Sequence, residues 1–138
     1  MSSCPKLPIP ERFLPLYGLV STLCFLTQTV SLCLSLFTDV LHPYQIVIDC
    51  LTLTFHFAIG TIGMWVEIKK VAWVEIWCPF LHTYGGKGLL HFLFFILIGG
   101  GYGPWYDILL SIPIAFATFL FFYKHFEAGA GVEAITIK

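Results

Sequence analysis

The chain has 138 residues, enough for one domain (1–138), and only 11% of them are charged, against roughly a quarter in ordinary soluble domains. Because 58% of the residues are hydrophobic, including 14 Phe, 6 Tyr and 4 Trp, the polar side chains cannot cover a water-facing surface, which excludes a soluble globular domain. The net charge of −1, with seven basic residues spread over three segments, also argues against a nucleic-acid-binding surface.

The first half of the chain predicts an irregular arm followed by two membrane spans. Residues 1–12 include three prolines, which disfavour regular structure. The apolar run 13–37 carries no charge and is long enough to cross a bilayer as the first span. Pro43 should separate it from the second span, 45–66, because proline cannot continue a helix.

The second half predicts an interfacial segment, two further spans and a tail. Residues 71–82 are too short and too charged to cross a membrane, and their aromatic character is typical of the headgroup level. The third span is predicted at 86–102 and the fourth at 105–123, with a glycine-rich turn between them. The tail, 124–138, should not fold alone, and the alternation in Val132–Lys138 suits an extended strand along a neighbouring protein.

The positions of the basic residues predict the orientation of the spans. Six of them lie outside the spans, in the first, middle or last segment, and the seventh, Lys87, stands at the entrance of the third span from the middle segment; the other two loops contain neither lysine nor arginine. The positive-inside rule therefore predicts an all-α membrane protein of four transmembrane helices, with both termini on the same, positive side. Five residues of the middle segment should lie at the interface near lipid headgroups: Lys69, Lys70, Trp73, Trp77 and Lys87.

Polar and small residues inside the spans predict how the helices pack. Polar side chains such as Gln28 and His56 can form hydrogen bonds between helices, and small residues allow close approach. The predicted packing set is Gln28, Ser31, Ser35, His56, Gly60 and Gly63.

Haem binding and ion transport are the chemical alternatives for these polar residues. His56 and His91 could ligate a b-type haem, but their depths differ by about 8 Å at 1.5 Å per residue, which argues against it. Asp49 is the one carboxylate placed for an ion path, and its position near the membrane surface favours a solvated group.

Catalytic motifs and cofactor signatures are missing from the sequence. It contains no His-Glu-x-x-His, no Gly-x-Ser-x-Gly and no phosphate loop, so we expect no enzyme activity, no catalytic residues and no metal. No cofactor is expected beyond a bound phospholipid. None of the five cysteines forms a Cys-x-x-Cys pair, and whether Cys33 and Cys50 are bonded stays open.

A motif in the second half resembles a known family. Pro79-Phe80-Leu81, followed by Tyr84-Gly85-Gly86-Lys87-Gly88-Leu89-Leu90 and a phenylalanine-rich span, is similar to the coatomer-associated tetraspan family of late-Golgi vesicle membrane proteins. The resemblance implies four spans and a non-enzymatic role in Golgi or vesicle membranes. It covers the second half of the chain and implies no catalytic residues.

Three classes of function follow from these patterns. We favour a non-enzymatic accessory or scaffold subunit of a larger membrane complex, such as a respiratory or ATP-synthase assembly in the mitochondrial inner membrane, because the phenylalanine-rich spans suit lipid or a larger partner. The alternatives are a Golgi trafficking tetraspan and a haem- or ion-handling membrane protein. The expected partners are membrane lipids and other membrane subunits, with no nucleic acid.

Overall fold

The computed structural model describes residues 10–38, 43–98, 105–129 and 132–134, without the side chains of Ser35 and Thr38. Within these ranges the chain is helical and contains no strand, in agreement with the predicted all-α class. Short 3-10 turns at Glu11–Phe13 and Pro79–His82 accompany five helices: α1 (Leu14–Thr38), α2 (Pro43–Ile68), α3 (Ala72–Trp77), α4 (Tyr84–Leu97) and α5 (Trp105–Ala128).

Three of the helices are long and apolar enough to cross a membrane. They are α1 with its preceding turn, α2 and α5. The fourth apolar helix, α4, has only 14 residues and is therefore about 21 Å long, short of a hydrocarbon core of about 30 Å. The third span was predicted at 86–102, and the helix found there runs from Tyr84 to Leu97. Residues 99–102 of the predicted span lie outside the described part of the chain.

The ends of the helices follow local chemistry. Pro43 is the first residue of α2, where its missing N–H costs nothing, so this helix begins two residues earlier than predicted. Thr83 caps α4 by accepting a hydrogen bond from the Gly86 amide. Helix α5 continues to Ala128, five residues into the predicted tail, and Gly129 follows it with a φ of 95°, a conformation that favours glycine.

The long helices form an antiparallel bundle. Helix α1 packs against both α2 and α5, and α4 packs against α5. On the α1–α2 side, Gly18 faces Glu67 while Phe25 faces Gly60, so the two helices run in opposite directions. The largest buried apolar cluster joins α1, α4 and α5 and consists of Phe25, Leu90, Phe94, Ile98 and Ile114.

Three segments that are distant in sequence meet at one end of the bundle, called here the basic end. Lys124 of α5 lies 3.3 Å from the Glu11 carboxylate before α1. Lys70, after α2, pairs with Glu133 of the tail. The start of α1, the middle segment and the tail are therefore neighbours, and the membrane side that this end faces stays a prediction.

The described part of the tail pairs with its own chain. The Tyr84 amide donates to the Val132 carbonyl at 3.4 Å, and the Ala134 amide donates to the His82 carbonyl at 2.7 Å. Residues 132–134 thus bond to the turn before α4 of their own chain through an isolated β-bridge between Thr83 and Glu133, and the contact with a neighbouring protein stays a prediction. Residues 135–138 lie outside the described ranges.

Candidate functional site

A fully buried cluster of charged side chains lies inside the bundle near the basic end. The Lys87 ammonium is 2.8 Å from Glu67 Oε2, and His91 Nε2 is 3.1 Å from Glu67 Oε1. All three side chains have no solvent exposure. A fourth member, Ser21, is equally enclosed and lies with its Oγ 2.8 Å from His91 Nδ1. Ser21, Glu67, Lys87 and His91 are called here the polar network.

Three helices contribute to the polar network. Lys87 and His91 are four residues apart, so they share one face of α4. Glu67 is the penultimate residue of α2, and Ser21 comes from the second turn of α1. The network therefore ties together helices that are far apart in sequence.

The hydrogen bonds of His91 connect Glu67 to Ser21. An ionised Glu67 only accepts, so Nε2 of His91 donates to Oε1. Nδ1 bonds to the Ser21 hydroxyl, which can act as donor or acceptor. The Lys87 ammonium balances the Glu67 carboxylate, which lowers the cost of placing both charges in an apolar interior.

Aromatic rings enclose the network on the α5 side. The Phe121 ring stacks on His91 with centroids 5.2 Å apart and an angle of 5° between the planes. The Lys87 ammonium lies 5.7 Å from the centroid of the same ring, within the range of a cation–π contact. Phe94 meets the His91 ring edge-on at 5.4 Å. These rings exclude water from the ion pair.

Glycines make room for the network. A Cβ on Gly18 would lie 2.5 Å from the Glu67 carboxyl carbon, so only glycine lets α1 approach this carboxylate. A Cβ on Gly86 would lie 1.8 Å from the Phe80 carbonyl oxygen, which is backbone and cannot rotate away. Gly86 therefore sets the close contact between the Pro79–His82 turn and α4, and with it the position of Lys87.

The network has the connectivity of a nucleophile, a base and an orienting carboxylate. Ser21, His91 and Glu67 form a continuous hydrogen-bonded chain of the kind that activates a serine in hydrolases. Ser21 has no exposed surface, however, so a substrate carbonyl cannot reach its Oγ in this conformation. What the enclosed arrangement can do is hold helices together or bind and release a proton.

Lys87 corrects a prediction about the interface. The sequence placed it among lipid headgroups, yet its side chain is fully buried against Glu67 and Phe121. The physical reason is the buried carboxylate, because a charged partner inside the bundle offsets the cost of removing the ammonium from water.

The other predicted interfacial residues lie on the surface at the basic end. Lys69, Lys70, Trp73 and Trp77 are all exposed, and the Trp77 side chain is 79% accessible. Lys70 forms the ion pair with Glu133, which raises the pKa of the lysine and lowers that of the carboxyl through their hydrogen bond.

Three of the predicted packing residues lie at close contacts between helices. Gly60 and Gly63 of α2 lie so close to Leu26 and Phe94 that an added Cβ would be 2.5 and 2.6 Å from their side chains. His56 is buried and stacks on Phe25 at 5.3 Å.

The remaining packing residues make fewer interhelical contacts. Ser31 is half-buried, and Gln28 has a buried Oε1 without a hydrogen-bond partner among the described residues. The Ser35 side chain lies outside the described part. Thr27 and Thr29, on either side of Gln28, donate to carbonyls of their own helix.

The structure also bears on the haem, metal and disulfide alternatives. His56 Nδ1 lies 2.8 Å from the Thr52 carbonyl oxygen, and both ring nitrogens of His91 bond within the network, so these histidines are engaged with protein atoms. Cys33 and Cys50 are free thiols. Among the described residues, no group of three or more His, Cys, Asp or Glu side chains is arranged to hold a metal ion.

Glu67 and Ser21 are the network members that the sequence pattern did not single out. Glu67 directly follows the predicted second span, 45–66, where a charged side chain is expected to be exposed. The available signal was the spacing of Lys87 and His91, which puts two proton-bearing side chains on one face of an otherwise apolar helix and calls for a buried acceptor.

Comparisons with known proteins identify no relative of this chain. No protein-family model matches the chain, and neither a curated protein nor a solved structure matches it significantly.

Proposed function

We propose that this protein is a non-enzymatic, multi-pass membrane protein that serves as an accessory or scaffold subunit of a larger membrane assembly. The observation that carries the proposal is the enclosure of the polar network, whose charges are balanced and whose polar groups bond to one another. Such a closed network suits a clamp between helices better than a site for a substrate.

The outer face of α4 and α5 offers a place for a partner helix. A depression of about 230 Å³ lies there, with Ala115 and Thr118 as its small residues and Phe92, Phe95 and Phe119 around them. The Thr118 hydroxyl donates to the Ile114 carbonyl of its own helix, so the depression is apolar. Small residues let helices approach closely in membranes, and we assign this face to a transmembrane helix of a partner subunit.

The favoured location is an organellar inner membrane, such as that of mitochondria, in a respiratory or ATP-synthase assembly. The composition and surface of the chain support this location, because a small apolar chain with large exposed aromatic surfaces fits the periphery of a large complex. A Golgi vesicle tetraspan is the alternative, supported by the motif around Lys87.

Native electrophoresis after mild detergent extraction tests the scaffold proposal. We expect the tagged protein to migrate with a complex much larger than its own 15.6 kDa. The double variant Ala115→Leu, Thr118→Leu fills the depression and should release the protein from the complex. Ala128→Leu, a similar enlargement at an exposed position at the end of α5, should leave the complex intact. A wild-type protein that migrates alone contradicts the proposal.

Proton handling is the second candidate, because a buried Glu67–His91 pair inside a membrane bundle is the kind of group that proton pathways use. Purified protein in vesicles containing a pH-sensitive dye separates the two functions. If the protein is a scaffold subunit, vesicles that contain it should show no proton flux above that of empty vesicles. A flux that disappears in Glu67→Gln would instead support proton handling.

A further inference from the structure

A second apolar groove runs along the outer face of α2 beneath α3. Its volume is about 360 Å³. The lining residues are Phe57, Ala58, Thr61, Ile62 and Trp65 from α2 and Trp73 from α3. Ala58 and Thr61 form its floor because they are the smallest of these side chains.

The shape and polarity of the groove match a hydrocarbon chain. The α2 residues that line it recur at helical spacing from 57 to 65, so the groove follows the helix axis over about 12 Å. The Thr61 hydroxyl donates to the Phe57 carbonyl at 2.8 Å, so its hydrogen is not offered to an occupant. An acyl chain that lies parallel to a membrane helix has this direction and this chemistry.

A cation stands at the end of the groove where α2 leaves the bundle. The Lys69 ammonium lies 5.8 Å from the centroid of the Trp65 ring, which is a groove wall. Lys69 is exposed and pairs with no carboxylate among the described residues, whereas the adjacent Lys70 pairs with Glu133. Trp65 and Trp73 are the aromatic side chains that favour the headgroup level.

We propose that this groove binds an anionic phospholipid, with one acyl chain between α2 and Trp73 and the phosphate at Lys69. The inference rests on the membrane insertion in the proposed function but is independent of the scaffold role. Charge complementarity favours a lipid over a partner helix here, because the unpaired ammonium lies where a phosphate would lie above its acyl chain. The depression on α4 and α5 has an apolar lining without a basic residue.

Native mass spectrometry of the detergent-purified protein tests the site with two defined lipids, phosphatidylglycerol and phosphatidylcholine of equal chain length. We expect the wild type to retain at least about fivefold more phosphatidylglycerol, equivalent to about 1 kcal/mol. Lys69→Gln should remove this preference, and Lys70→Gln should keep it. Thr61→Leu fills the groove and should lower retention of both lipids, whereas Thr54→Leu, exposed on the same helix outside the groove, should not.

Several outcomes would overturn the lipid site. Equal retention by Lys69→Gln and the wild type, or equal losses in Lys69→Gln and Lys70→Gln, would show a nonspecific surface charge effect. Loss of a co-purifying protein in Thr61→Leu with unchanged lipid retention would assign the groove to a partner helix. Release of the wild type from membranes by alkaline carbonate would refute membrane insertion itself, and thus the proposed function, before any lipid is measured.

Discussion

Glu67 shows at the scale of single residues how much a buried charge depends on its partner. Glu67→Gln removes the carboxylate that pairs with the Lys87 ammonium, and Lys87→Met removes the ammonium that pairs with Glu67. We expect each single variant to lower the free energy of unfolding by about 3–5 kcal/mol, the usual cost of removing one partner of a buried ion pair. Denaturation in mixed detergent micelles, followed by circular dichroism, measures this loss.

The double variant Glu67→Gln, Lys87→Met distinguishes the ion pair from a general packing defect. Removing both charges should restore most of the stability lost in either single variant, because no unpaired charge remains. Lys70→Met, which breaks the exposed pair with Glu133, is the matched control and should lower the unfolding free energy far less than either single variant. A double variant as unstable as the sum of both single variants would contradict a coupled pair.

Glu133 should make the attachment of the tail sensitive to acid. Its hydrogen bond with Lys70 holds the pKa of the carboxyl below the ordinary value of 4.5. The ion pair therefore stabilises the tail fully above that value, and its contribution is lost as the pH falls through the lowered pKa. The protection of the Ala134 amide, which bonds to the His82 carbonyl, should fall over this range in hydrogen exchange.

Glu133→Gln is the control for this pH dependence. Without a titrating carboxyl, the protection factor of the Ala134 amide should be lower near neutral pH and should not change further as acid is added. If the wild type and Glu133→Gln lose protection in parallel, the acid-sensitive group is elsewhere.

The turn before α4 is the element whose sequence motif the structure explains best. Gly86→Ala would force a Cβ against the Phe80 carbonyl, so we expect it to cost about 1–3 kcal/mol or more and to displace Lys87. Gly88→Ala is the matched substitution on the same helix. Its Cβ would be 3.2 Å from the Phe122 ring, where the side chain can yield, and replacing a helical glycine gains about 0.5–1 kcal/mol.

Thermal unfolding of the two glycine variants in detergent provides the comparison. Gly86→Ala should unfold at a clearly lower temperature than the wild type, and Gly88→Ala should stay close to it. Similar losses in both variants would mean that α4 tolerates no added side chain on either face, and Gly86 would have no special role.

The positions of the elements were predictable, and their internal contacts were not. Long apolar runs set the approximate lengths of α1, α2 and α5, because hydropathy is a local property of the chain. Hydropathy also placed Glu67 just outside the second span and Lys87 at the entrance of the third, since it counts every charge as exposed. Their burial depends on side chains of α2 and α4 meeting inside the bundle, and on Gly18 being small, which no single segment reveals.

At the scale of the whole molecule, the bundle extends beyond the end of α4. Ile98, next to the end of α4, packs in the same cluster as Ile114 of α5, and Trp105 begins α5 nine residues before Ile114. Nine helical residues rise by about 14 Å. Trp105 therefore lies about 14 Å farther along the bundle than the level of Ile98 and Ile114.

Cysteine labelling from each side of the membrane tests the crossing that this geometry predicts. On a cysteine-free background, Glu75→Cys and Glu127→Cys at the basic end should react with an impermeant reagent from one side. Tyr44→Cys and Trp105→Cys, at the starts of α2 and α5, should react only from the other. The reason is that Lys124 contacts Glu11, so α5 ends where α1 begins, and its start must face the opposite surface. Labelling of Trp105→Cys together with Glu75→Cys would make α4 a re-entrant helix and leave three spans.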